Sequence, residues 1–104
     1  MFGGKNEVEA DLEFYTIYDS KSKSYDEPIF ARNRDVLLRD ILNVFKNPEA
    51  STKNKFFMNA EDYSIFKIGS YTKKDGILHT QNAEHVVNMH DLRSMVLPGA
   101  LSST

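Results

Sequence analysis

Three histidines, His79, His85 and His90, stand within twelve residues, with Glu84 and Asp91 beside them. Imidazole and carboxylate are natural ligands of a divalent metal, but a metal needs its ligands to converge on one point. Spacings of six and five do not put three side chains on one helical face, and no HExxH pair or cysteine pair accompanies them. A metal site is therefore not expected, and the histidines read as surface or packing residues. Nucleophilic catalysis needs a serine or threonine with a positioned base and an oxyanion hole. The serines cluster in turns and tails, and no GxSxG elbow occurs. Asp26-Glu27 and Glu61-Asp62 are adjacent acids in loop segments, where such pairs face water. Neither a phosphate-cradling glycine loop nor a dinucleotide fingerprint is present. Neither an enzyme nor a cofactor is expected.

The remaining chemistry is that of a binding surface. Lysines lie next to tyrosines at two places: Lys21 and Lys23 among Tyr15, Tyr18 and Tyr25, and Lys73 and Lys74 after Tyr71. Arg32 and Lys67 add two further cations. Single-stranded nucleic acid is held by this combination, cations tracking phosphates while flat rings stack on bases. Packing and solubility place the same residue types on many antiparallel sheets, so composition leaves both explanations standing. With 13 cationic against 15 acidic residues the formal charge is −2, and any attraction to a polyanion must be local. The charge is indeed uneven. Residues 1–13 carry one lysine against four acids, whereas residues 64–76 carry three lysines against one aspartate.

Positioning these side chains falls to a small set of elements. The stretch Asn33 to Asn47 repeats apolar residues at spacings of three and four (Leu37, Leu38, Ile41, Leu42, Val44, Phe45), which predicts an amphipathic helix. Asn33 or Asp35 caps its start and Pro48 enforces its stop. Arg39, Asn43 and Lys46 fall on the opposite, solvated arc. Leu12 to Tyr18 and Tyr63 to Tyr71 are dense in aromatic and β-branched residues and predict strands. Residues 28–31 predict a short returning strand. Gly76 to His79 predict the partner of Tyr63 to Tyr71 across an Asp-Gly turn. Gly69 inside that strand signals a bulge or a close backbone approach. Residues 49–62 read as a loop with a pinned apolar knot, Phe56-Phe57-Met58. From Asn82 to Leu97, His85, Met89, Leu92 and Val96 suggest a helical face ended by Pro98-Gly99.

The expected fold is α+β: an antiparallel sheet of about four strands, the main helix packed on one face, and a short C-terminal helix. The 104 residues suit a single domain, with a mobile acidic arm at 1–11, a folded core at 12–97 and a frayed tail at 98–104. There is no cysteine, no apolar run of membrane-spanning length, and no signal-peptide core in Met1 to Ala10. A soluble protein of a reducing cytoplasm is expected.

The order of motifs carries a further reading. Tyr15 to Asp19, Tyr25 and Pro28, Asn33, Asn47-Pro48, Asp62 to Gly69, and Gly76 follow one another in an arrangement that resembles the small nonstructural protein of the gokushovirus branch of Microviridae, phages with single-stranded DNA genomes. The resemblance spans roughly residues 12–80. It implies a non-enzymatic DNA-binding or DNA-synthesis factor that stays out of the virion and works in the host cytoplasm on single-stranded DNA. A homodimer is the expected state. Tyr15, Tyr18 and Tyr71 would stack on bases, and Lys21, Lys23, Lys73 and Lys74 would engage phosphates with support from Arg32 and Lys67. The alternative is a protein-interaction module that docks on a host or phage replication or assembly protein through the acidic arm and the Phe56-Phe57-Met58 knot.

Overall fold

The computed structural model describes residues 10–97, so the expected tail at 98–104 and all but the last two residues of the expected arm lie outside it. Five strands form one antiparallel sheet: β1 (Leu12–Asp19), β2 (Ser24–Tyr25), β3 (Ile29–Ala31), β4 (Tyr63–Thr72) and β5 (Ile77–Asn88). β1 and β4 lie at the centre and β5 forms one edge, while β2 and β3 share the other, each pairing with a different end of β1. Four helices complete an α+β fold, as the periodicities predict. β3 is the returning strand expected at 28–31. The two-residue β2 is an addition, formed because the Asp19–Ser24 turn is tight enough to bring Tyr25 opposite Tyr18. Asp11, assigned to the arm, is held instead. Its N–H donates to the Tyr71 carbonyl at 2.9 Å, and its carboxylate accepts from the Lys73 N–H at 2.7 Å.

Helix α1 (Arg34–Phe45) begins where the capping chemistry puts it. The Asn33 side chain accepts from the Val36 N–H, which decides between Asn33 and Asp35 as cap. Leu37 and Phe45 are buried and Leu38, Ile41 and Leu42 half-buried, whereas Arg39, Asn43 and Lys46 face water. The covering layer is completed by α4 (Met89–Val96), whose Met89 and Leu92 are almost wholly enclosed beside Ile65 of β4 and Tyr15 and Ile17 of β1. Each enclosed side chain of this size contributes roughly 1.5–3 kcal/mol relative to leaving it in water. The helix expected over 82–97 is thus half that length. Residues 82–88 extend β5, because Phe66, Ile65 and Ser64 of β4 offer partners to His85, Val87 and Asn88, and the β-branched pair Val86-Val87 fits a pleated ladder better than a helix.

Residues 49–62 are more regular than a loop. Two single-turn helices, α2 (Ala50–Lys53) and α3 (Lys55–Met58), precede a 3-10 turn at Ala60–Asp62. Asn54 starts α3 by accepting from the N–H groups of Phe56 and Phe57. Phe57 enters the core edge-on to Phe45, with ring centroids 5.2 Å apart. Gly69 makes the close approach its position implies: a Cβ there would stand 2.5 Å from the His79 carbonyl oxygen. Gly76 closes the β4–β5 turn with φ at 69°, a conformation that other residues adopt only under strain.

Candidate nucleic-acid interface

Cross-strand register assigns the side chains of the sheet to two faces. Tyr15 pairs with Lys67 and Ile17 with Ile65, and this face meets the helices. Phe14, Tyr18 and Phe66 alternate with them and project to the other face, joined by Tyr25, Phe30 and His85 from the strands alongside. There the rings meet in a row across four strands. Tyr25 lies 4.9 Å from Tyr18 and 5.9 Å from Phe66, Tyr18 lies 6.1 Å from Phe66, and Phe66 lies 5.4 Å from His85, mostly edge to face. A second group, Phe14 stacked on Phe30 at 4.4 Å, lies beside the row. Thr16 separates them, buried under the β2–β3 link because its hydroxyl donates to the Asp26 carbonyl at 2.7 Å. Phe30 and Tyr25 remain 61% and 53% exposed, so part of each ring is within reach of a ligand. Ring faces of this kind accept bases by stacking without regard to sequence.

The nine candidate residues divide. Tyr18 stands in the middle of the ring row. Tyr15 does not: it is 1% exposed in the core, its hydroxyl donates to Glu13, and burial followed by that hydrogen bond pushes its pKa upward. It cannot stack on a base. Lys67 lies on the covered face, where its ammonium pairs with Glu13 at 3.3 Å. Tyr71 is half-buried opposite Leu12, toward the β4–β5 turn. Lys21 and Lys23 are exposed in the β1–β2 turn, next to the Tyr18–Tyr25 pair. Lys73 and Lys74 occupy the β4–β5 turn at the opposite end of β1, about 25 Å away at the usual rise per strand residue. Arg32 shares a cleft with Lys73, Asp11 and Glu13, so acids temper both cations there. The rings gather and the cations separate. Tyr25, noted in the sequence beside Lys21 and Lys23, was not one of the nine; Phe30, Phe66 and His85 had cross-strand pairing as their signal, which needs the register.

The β1–β2 turn is organised by Asp19. Its carboxylate accepts from the Lys21 N–H at 2.9 Å and more weakly from Ser22, and the first of these bonds holds its pKa below the ordinary aspartate value. Lys23 sits in the left-handed region at φ 58°, with its N–H bonded to the Asp19 carbonyl. Lys21 reaches Asp62 at 3.6 Å, an exposed contact that a phosphate can replace at little cost. Next to Asp62, Arg93 of α4 donates to the Phe57 carbonyl at 3.0 Å and to Glu61, whose pKa it lowers. This second cluster ties α4 to α3.

Beside the sheet, the outer edge of β3 and helix α1 enclose a groove of about 560 Å³, lined by Phe30, Val36, Ile41, Val44 and Phe56 among others. Of the Phe56-Phe57-Met58 knot, Phe57 is buried and Phe56 half-buried against Tyr63, while Met58 stays 48% exposed. Among the described residues no helix is long and apolar enough to cross a membrane. A family model described as Phage ORF5 protein matches residues 12–92, from the first residue of β1 to the buried Leu92 of α4. No curated protein and no solved structure matches the chain.

Proposed function

We propose, from the premise that this chain belongs to the Phage ORF5 protein family, that it binds single-stranded DNA during viral genome synthesis without itself catalysing a reaction. The observation that carries this reading is the helix-free sheet face with its row of Tyr25, Tyr18, Phe66 and His85. Unpaired bases present π-faces to such a row, whereas a duplex hides them inside its stack. Lys21 and Lys23 take the phosphates that follow bases stacked on Tyr18 and Tyr25. Lys73, Lys74, Arg32 and Tyr71 meet the strand only as it leaves the sheet. The ordered motifs from Tyr15 to Gly76 support a gokushovirus-type member of Microviridae as the source. In this reading the protein works in the host cytoplasm, stays out of the mature particle, and pairs as a homodimer to lengthen the binding face.

A gel shift with labelled single-stranded and duplex oligonucleotides at two salt concentrations tests it. Single strands should bind more tightly than duplex, with a shallow salt slope of about −0.7 per phosphate engaged. Equal affinity for duplex would remove the stacking role. Affinity independent of salt would remove the lysines.

The groove between β3 and α1 favours a second reading, a module that docks on a replication or assembly protein. Its contact would be that groove, to whose lining Phe56 of the knot belongs. A Val44→Arg variant that loses a partner from infected cells while keeping its DNA affinity would support this alternative.

A further inference from the structure

The outer flank of β5 is bare: residues 77–85 are all exposed, and only β4 pairs with the strand. A strand at the edge of a sheet aims a line of backbone N–H and C=O groups outward, and proteins usually shield it with lysine, proline or a bulge. β5 uses the last of these over part of its length. Its ladder with β4 is irregular at residues 81–83 and at Val86, and Arg34 reaches the Val86 carbonyl at 3.4 Å. Residues 77–80 have no such protection. They pair one to one with residues 69–72 and include no lysine, acid or proline. Among the described residues, their one hydrogen bond outside the β4 ladder runs from the Ile77 N–H to the Asp75 carboxylate at 3.1 Å.

The side chains say what kind of partner fits. Ile77 and Leu78 are 47% and 50% exposed, and as consecutive strand residues they point to opposite faces of the sheet. A layer laid on one face would cover only one of them. A strand added at the edge flanks both, and a second copy of this chain supplies that strand. Antiparallel pairing of residues 77–80 with themselves sets Leu78 opposite His79 and Ile77 opposite Thr80, with no like charges facing each other. The same register draws the β4–β5 turn of each copy, with Lys73 and Lys74, alongside Glu84 of the other, the one acid in β5.

We propose that β5 pairs with β5 of a second copy through residues 77–80, antiparallel about a two-fold axis, so that two five-stranded sheets become one. This names the surface of the homodimer in the single-stranded DNA reading and rests on that reading. The axis of an antiparallel pair stands perpendicular to the sheet, so both open faces end on the same side. The border opposite β5 is divided between the short β2 and β3, so each copy offers one long edge and assembly closes at two. Lys73 and Lys74, remote from the ring row of their own chain, come beside the His85 end of the other chain's row. Each row gains its missing cations in trans.

Sedimentation equilibrium of the full chain across the micromolar range tests the pairing. The mass should rise from 11.9 kDa toward twice that value and no further. Leu78→Lys should hold it at the monomer with the circular dichroism spectrum preserved, whereas Val44→Arg, in the groove beside α1, should leave the dimer intact. The chain has no cysteine, so His79→Cys gives a second readout. Standing next to the axis, it should oxidise to a disulfide-linked dimer many times faster than Val44→Cys does. That dimer should bind a labelled single strand about tenfold or more tightly than the reduced chain at concentrations where the reduced chain is monomeric. A mass that stays at the monomer, a dimer that survives Leu78→Lys, or equal oxidation of the two cysteine variants would overturn the edge pairing and leave single-strand binding standing. Equal affinity of the linked and reduced forms would overturn the lysines in trans. A dimer of the expected kind that binds no single strand would overturn the DNA reading alone.

Discussion

The covered and the open face of the sheet are built from the same strands and from similar residues, yet they meet opposite fates. Tyr15 and Tyr18 are three positions apart on β1. One is enclosed with its hydroxyl on Glu13, and the other sits half-buried among the rings of the opposite face. Ile65 and Phe66 are neighbours on β4 and part in the same way, the first fully enclosed and the second half-buried in the row. A strand gives each face every second residue, so aromatic content says how much flat surface exists and register alone says which side presents it. Stability therefore resides on one face, and the proposed ligand chemistry on the other.

Substitutions along β4 test this division most strongly. Ile65→Ala should cost about 2–5 kcal/mol of folding stability by opening a cavity under α4, read as a lowered denaturant midpoint. A loss below 1 kcal/mol would mean that the covered face is not the main core. Gly69→Ala forces a methyl toward the His79 carbonyl and should cost about 1–3 kcal/mol in thermal unfolding. Phe66→Ala should lower single-stranded DNA affinity by about 1–3 kcal/mol while shifting stability far less than Ile65→Ala does. If Phe66→Ala destabilised the fold as much as Ile65→Ala, the two faces would not be functionally distinct.

Two smaller effects sharpen the contrast on β1. Tyr15→Phe removes a hydrogen bond from a nearly dry site and should cost about 1 kcal/mol of stability, whereas Tyr18→Phe should leave both stability and DNA affinity unchanged, because stacking uses the ring. The last effect is acid sensitivity of the β1–β2 turn. The folded pKa of Asp19 lies below its unfolded value, so its contribution is present above the ordinary aspartate range. It is lost as the pH falls through the folded value. Amide exchange at Lys21 should accelerate in that acid window, and Asp19→Ala should abolish the pH dependence.

The strands β1 and β4, the capped helix before Pro48, the glycine turn and the closely approached glycine of β4 were all legible, because each is written in local periodicity, capping or backbone chemistry. Which tyrosine faced water was not. LEFYTIYD has apolar or aromatic residues in both phases, so alternation could not choose between Tyr15 and Tyr18. The irregularity between Lys67 and Gly69 hid a second point. Lys67 and Tyr71 are four residues apart and would share a face in a regular strand, but the bulged register sets Lys67 opposite Tyr15 and Tyr71 opposite Leu12. The β5 extension was missed because its partners on β4 lie some twenty residues away, beyond the reach of a local helical pattern.

The split border formed by β2 and β3 has a consequence of its own. An uninterrupted outer strand invites further chains to add on and grow into fibrils. Here the flank of β1 is covered by two fragments of two and three residues, and Pro28 between them has no N–H to lend to an incoming strand. A protein that displays exposed rings such as Tyr25 and Phe30 runs a risk of polymerising, and the broken border limits that risk on this side without covering the open face of the sheet.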